Sequence, residues 1–188
     1  MHTSLALVVA LLAAIAPAPP PVTNGKANPR VALDTTKGKI VIELFADKTP
    51  KTVDNFLHYV KAGHYDGTVF HRVIAGFMIQ GGGFDTSGME RKTRPPIVNE
   101  SKTGVSNARG TIAMARTSDP NSATSQFFIN VVDNSRLDNA GGGYTAFGKV
   151  VEGMDVADAI AAVPVARGSA SDTQPVEPVV IRKATVTP

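Results

Sequence analysis

From Arg30 onward, apolar and polar positions alternate with a period of two. Val31, Leu33 and Thr35 share one face, and beyond a turn at Lys37-Gly38, Ile40, Ile42 and Leu44 share another. Such alternation marks half-buried strands, so the segment predicts a β-hairpin. The period changes at Thr49-Pro50, where a hydroxyl residue stands ready to cap a helix and proline takes the first helical position, at which its missing N–H costs nothing. Val53, Phe56, Leu57 and Val60 then recur at i, i+3, i+4 and i+7, the apolar stripe of a helix that can cover a sheet, and Gly63 ends it. Short β-type runs follow at Thr68–Ile74, Phe77–Gln80, Thr111–Ala115, Phe127–Val131, Ala146–Val151 and Val179–Val186. A second helix is predicted at Met154–Val163, with Val156, Ile160 and Val163 on one side and Pro164 as its stop. The stretch from Gly81 to Gly110 is polar, carries Pro95 and Pro96, and is long enough that a functional role is the usual reason for it. Many short strands joined by glycine-rich turns, with two helices, predict a mainly β barrel or sandwich.

Length and composition narrow this picture. The 188 residues leave room for one domain, since domains commonly hold about 100–200 residues. Leu5 to Ala16 is unbroken apolar sequence, shorter than the ~20 residues of a spanning helix but suited to the core of a secretory signal. Residues 1–18 are therefore expected to form a signal peptide, with small-residue cleavage sites at Ala16 and Ala18. Residues 19–29 should form a flexible proline-rich tether, and residues 30–188 the folded domain. The expectation is a monomer exported to the periplasm or the extracellular space, with no stable membrane insertion once the leader is removed. The net charge of +3 comes from scattered lysines and arginines. Neither a basic block nor an interleaved aromatic stripe is present, so nucleic acid is not an expected partner. With no cysteine, disulfides, thiolate catalysis, thiolate metal sites and a lipidated cysteine are all excluded.

Four segments carry the chemistry: FHRVIAGFMIQGG from Phe70, RGTIAMAR from Arg109, SQFFIN from Ser125 and AFGKVVEGMDVADAI from Ala146. Together they resemble the cyclophilin family, and the resemblance extends from Arg30 to Val186, with wording nearest to bacterial exported members. It implies a closed antiparallel eight-stranded barrel capped by two α-helices, its interior filled by side chains, so that substrate binds outside. It also implies peptidyl-prolyl cis-trans isomerase activity that assists protein folding and needs neither cofactor nor metal. The expected substrates are proline-containing polypeptides, here unfolded or partly folded exported proteins. Matched motif to motif, Arg72 is the implied catalytic residue. Phe77, Met78, Phe128 and Leu137 are implied to line a proline pocket, and Gln80 to contact substrate backbone. Ala115 and Arg116 are implied to lie on the strand that pairs with the peptide, Gln126 to support the pocket, and Tyr144 to stand at a substrate-binding position often held by histidine. Arg136 occupies a place where many members carry tryptophan. The resemblance then implies weak binding of cyclosporin, because the lost indole takes with it an apolar contact and an N–H donor.

These residues make physical sense on their own. Rotation about an X-Pro bond needs no covalent intermediate, only loss of amide double-bond character, against a barrier of ~18–20 kcal/mol. In the twisted amide the prolyl nitrogen regains a lone pair that the planar form offers weakly. A donor aimed at that nitrogen therefore binds the transition state in preference to the ground state. Arginine suits the task because its guanidinium stays charged at any workable pH and holds its donors in a rigid fork.

Other residues invite other chemistry and do not sustain it. Neighbours on a strand point to opposite faces, so Phe127 and Phe128 cannot both fill a barrel; Phe127 is expected inside and Phe128 outside. His58, His64 and His71 lack a compact metal-ligand spacing. Gly81-Gly82-Gly83 lacks the lysine of a phosphate loop and reads as a strand end with close backbone approach. Ser106 and Ser125 sit in no nucleophile elbow. The competing function is a binding module that grips proline segments in the same groove without turnover. A lipocalin-like carrier is disfavoured because a side-chain-filled barrel has no cavity.

Overall fold

The computed structural model describes residues 28–166 and 173–187; the expected leader and most of the tether lie outside them. The predicted hairpin forms from β1 (Arg30–Thr35) and β2 (Gly38–Leu44) in a register running from Arg30 opposite Glu43 to Thr35 opposite Gly38. Its alternation sends Val31, Leu33, Ile40, Ile42 and Leu44 to full burial. Thr35 locks the turn, its Oγ1 donating to the Gly38 carbonyl at 2.6 Å and accepting the Lys37 N–H at 3.1 Å.

The remaining elements are α1 (Pro50–Lys61), β3 (Thr68–Val69), β4 (Arg72–Ile74), β5 (Met78–Gly81), β6 (Thr111–Met114), β7 (Phe127–Asn130), β8 (Ala146–Glu152), α2 (Met154–Ala161) and β9 (Val180–Thr187). Among the described residues the nine strands form one sheet in the order β3-β9-β1-β2-β8-β6-β7-β5-β4, every pairing antiparallel. The two edges of this curled sheet, β3 and β4, are consecutive pieces of the single strand predicted over Thr68–Ile74. The chain changes partner between them: β3 pairs with β9, whereas β4 pairs with β5. Phe70 N–H still reaches the Val179 carbonyl at 2.9 Å, so the ladder is interrupted at a seam of two residues. Counted as one broken strand, β3 and β4 return the expected eight.

The interior is a close-packed apolar cluster to which every long strand contributes. It includes Leu33, Ile40, Ile42, Val73, Ile79, Ile112, Phe127, Ile129, Phe147 and Ile181. Phe56 of α1 packs its ring against Tyr65, Phe127 and Phe147, with centroids at 5.2, 5.7 and 5.1 Å. The second helix packs against β2, β4 and β5. It ends two residues earlier than predicted, and its buried face is Ala157, Ile160 and Ala161, with Val156 and Val163 only partly covered. These residues join the same cluster as the barrel interior, and small side chains allow the helix a close approach to it.

The start of α1 departs from expectation in an informative way. Thr49 is the N-cap residue but makes no side-chain cap bond; its hydroxyl donates backwards to the Phe45 carbonyl at 3.2 Å. The orphan N–H groups are instead taken by Glu100, whose carboxylate accepts from Lys51 N at 3.2 Å, Thr52 N at 2.8 Å and the Thr52 hydroxyl at 2.7 Å. A carboxylate there also meets the positive end of the helix dipole. Glu100 lies in the long segment after β5, so this contact anchors that connection to the barrel. Glu100→Ala is expected to cost about 1–2 kcal/mol, read as a lower urea midpoint at unchanged slope. Thr49→Ala should cost less, since no cap bond is lost.

Candidate active site

One row of side chains on the outer face of the sheet organises the site. Arg72 stands opposite Gln80 in the β4–β5 ladder, Gln80 opposite Phe128 in β5–β7, Phe128 opposite Ala113 in β6–β7, and Ala113 opposite Ala146 in β6–β8. Because side chains alternate along a strand, the neighbours in the adjacent row, Val73, Ile79, Ile129 and Ile112, point into the barrel. Met78, Ala113, Phe128 and Ala146 form a second, separate apolar cluster, with Ile74, Phe77, Val105, Ala115, Leu137 and Tyr144 packed around it. The two alanines leave the row low beside Phe128, and loop residues stand up around that depression. The result is a cavity of about 220 Å³ lined by Arg72, Phe77, Met78, Gln80, Ala115, Arg116, Phe128, Leu137 and Tyr144. Its size suits a pyrrolidine ring and the adjoining peptide. Phe127, by contrast, is fully buried in the barrel interior.

A chain of amides aims the arginine. Arg72 donates through one terminal nitrogen to Gln80 Oε1 at 3.2 Å, Gln80 Nε2 donates to Gln126 Oε1 at 3.1 Å, and Gln126 Nε2 reaches Glu90 Oε1 at 3.4 Å. Gln126 thus lies behind the cavity wall and holds Gln80, the residue that holds Arg72. Gly83 makes room for it: a Cβ there would come within 2.5 Å of the Gln126 side chain. Arg72 itself is exposed, and its guanidinium borders the open cavity.

Ala115 and Arg116 line the cavity just beyond the end of β6. The ladder of β6 ends at Met114, and the Ala115 N–H is spent on the Gln126 carbonyl at 3.0 Å. The Arg116 guanidinium turns to the glycine-rich turn after β7, donating to the carbonyls of Ala140, Gly141 and Gly143 at 3.1, 2.8 and 3.1 Å. It also lies over the Tyr144 ring at 4.2 Å, and Tyr144 in turn meets Phe128 edge-on at 5.8 Å. Arg116 therefore fixes one wall of the cavity. Lysine keeps the charge but cannot reproduce the fork. Arg116→Lys is expected to raise KM on a proline peptide about three- to tenfold, with a smaller change in kcat and little loss of stability, as steady-state kinetics beside a thermal melt would read.

The opposite wall is held by Asn134, whose side-chain amide donates to the Phe77 carbonyl at 2.9 Å and to Asn130 Oδ1 at 2.8 Å. It sits just ahead of the turn Ser135–Asp138 that presents Arg136 and Leu137. No sequence signal singled out Asn134, Ala113 or Ala146, because their importance lies in position rather than in chemistry.

The other candidates fall elsewhere. His71, next to Arg72, lines a second cavity of about 260 Å³. There it packs edge-on against Phe84 at 4.7 Å, and burial lowers its pKa. His58 is exposed on α1, and His64 packs on Tyr59 at 4.5 Å. Among the described residues no group of three or more metal-ligating side chains is gathered. Ser106 donates to Asp138 at 2.6 Å and Ser125 to the Gly82 carbonyl at 3.3 Å; neither contacts a histidine ring in these bonds.

Comparison with known proteins gives a consistent result. The family described as cyclophilin type peptidyl-prolyl cis-trans isomerase matches residues 30–186. A peptidyl-prolyl cis-trans isomerase of Streptomyces antibioticus is 52% identical over 161 residues, covering 83% of this chain and 97% of its own length. Peptidyl-prolyl cis-trans isomerase B of Escherichia coli is 51% identical over 161 residues, covering 83% and 98%. A crystal structure of a cyclophilin type isomerase from Cryptosporidium parvum superposes with a TM-score of 0.72 at 27% identity, covering 86% of this chain and 98% of that one. The same protein, crystallised in the presence of the dipeptide Ala-Pro, gives a TM-score of 0.71 at 28% identity, covering 85% and 99%.

Proposed function

Because this chain belongs to the cyclophilin-type peptidyl-prolyl cis-trans isomerase family and is itself such an isomerase, we propose that Arg72 supplies the donor that stabilises the twisted X-Pro amide. The observation that carries this reading is the shared cavity: the guanidinium lines the same hollow as Phe77, Met78, Phe128 and Leu137 and is aimed by Gln80. The proline ring enters the apolar hollow and is held there while the acyl group before it turns. As the amide leaves planarity, the prolyl nitrogen becomes an acceptor for the guanidinium, and the bound peptide excludes water from that bond. No proton changes hands. Gln80 and Gln126 keep the fork in place, and the backbone at Ala115 and Arg116 offers an edge for the extended peptide. The Ala-Pro dipeptide used with the Cryptosporidium relative is the minimal ligand of this kind.

The same proposal places the protein outside the cytoplasm. Leu5 to Ala16 supports residues 1–18 as a removed leader, and the proline-rich residues 19–29 support a tether. The working site is then the periplasm or the extracellular space. The enzyme acts there as a monomer on unfolded or partly folded exported chains, whose slow step is a proline flip of tens of seconds. Purified protein should accelerate cis-to-trans conversion of a short X-Pro peptide in a protease-coupled assay; a rate equal to the uncatalysed one rejects the proposal. Mass spectrometry of the chain from fractionated cells locates its N-terminus; a chain that stays in the cytoplasmic fraction with Met1 in place rejects the export reading alone.

A further inference from the structure

Resting on the isomerase site proposed above, we infer that the cleft selects prolines flanked by an acidic residue, and that Arg136 reads that charge. The Arg136 guanidinium lies over the Phe77 ring, 5.1 Å from its centroid, so it rests on the outer side of a residue that also lines the cavity. Its exposed side chain adjoins Leu137, a second lining residue, on the short turn that Asn134 ties to the Phe77 carbonyl. A cation held over an aromatic face keeps its N–H groups free to bond elsewhere, and an arginine fork can grip a carboxylate with two parallel bonds.

Nothing among the described residues neutralises it. The ion pairs there join Arg30 and Lys149 to Glu43, Lys48 to Asp47, Arg109 to Asp158 and Lys183 to Asp66. The acids nearest in sequence are occupied elsewhere: Asp133 accepts the Arg109 N–H, and Asp138 accepts from Ser106 and Asn107. The cavity lining contains two arginines, Arg72 and Arg116, and no carboxylate. Glu90, at the far end of the amide chain, reaches Gln126 rather than an arginine. A proline-bound peptide therefore meets positive potential from three guanidinium groups. Residues in extended chain lie about 3.3 Å apart along the strand axis, so a side chain one or two positions from the bound proline falls within reach of Arg136.

Three peptides of equal length, differing only in an Asp, Asn or Lys beside the proline, test this. The substitution is placed before the proline in one set and after it in another, and kcat/KM is measured at low and high salt. The expected result is a preference for Asp over Lys of about three- to tenfold at low salt in at least one set, shrinking as salt is raised. In R136Q the preference falls, and in R136E it disappears or reverses. Equal turnover of all three peptides overturns the inference while leaving the isomerase reading intact, whereas no turnover of any peptide defeats that reading itself. An acidic preference that survives unchanged in R136E also overturns it, by assigning the effect to Arg72 and Arg116.

Discussion

Replacing Arg72 with alanine is expected to lower kcat/KM on an X-Pro peptide by about two to three decades while leaving peptide affinity within a few-fold of wild type. Removing one preorganised donor from a desolvated site costs ~2.7–4 kcal/mol of transition-state stabilisation, and each 1.36 kcal/mol is about a decade in rate. The affinity survives because the ground-state amide nitrogen is a poor acceptor, so the ring contacts of Phe77, Met78, Phe128 and Leu137 account for binding. Arg72→Lys should fall between the two. Lysine keeps a positive charge but cannot donate to Gln80 Oε1 and to the prolyl nitrogen from one rigid plane. A protease-coupled assay beside a direct binding measurement separates the two quantities, and unchanged turnover in the alanine variant removes Arg72 from the mechanism. A binding module that never needed turnover would show the same affinity in both proteins and no rate to lose.

The second large effect is on stability, and it comes from adjacent residues with opposite duties. Phe127 is fully buried, with the rings of Phe56, Tyr65 and Phe70 around it at 5.7, 5.4 and 6.2 Å, each close to edge-on. Phe127→Ala empties the centre of the barrel and is expected to cost about 3–5 kcal/mol, a fall in Tm on the order of 10 °C for a domain of this size. Phe128 sits in the outer cluster with Met78, Ala113 and Ala146, on the far side of the sheet from that core. Phe128→Ala should therefore be the milder change in thermal melts and the more severe one in kcat/KM, by at least about tenfold. Equal losses of stability would mean that the outer cluster holds the fold as firmly as the barrel does.

The contrast between these two phenylalanines was legible before any coordinates, because the period of two in a strand forces one of the pair outward. The opening hairpin was legible for the same reason, although its turn falls at Thr36-Lys37, one residue before the expected Lys37-Gly38, because Gly38 pairs with Thr35. The lining of the cavity followed from the motifs: Arg72 and Gln80 belong to one segment and Phe128 to another, and the antiparallel ladders set all three in one row. Contacts that join distant parts of the chain through polar atoms were not legible. Glu100 caps a helix that begins fifty residues earlier, and no local pattern near Thr49 points to it. The break at Phe70-His71 was hidden because both halves carry strand-like residues; what splits them is the change of partner from β9 to β5. The Arg116 side chain gave no hint of its destination, the carbonyls of Ala140, Gly141 and Gly143 that take up its fork. Ala113 and Ala146 gave no signal because their contribution is the space they leave.

Exchange between the cis and trans forms of an X-Pro peptide bound to the protein, followed by NMR line shapes, tests the central claim most directly. Wild-type protein should exchange the two forms on the enzyme at least about a hundredfold faster than Arg72→Ala, with both proteins saturated at similar peptide concentrations. Rapid exchange on the alanine variant would show that the twisted amide is stabilised without the guanidinium.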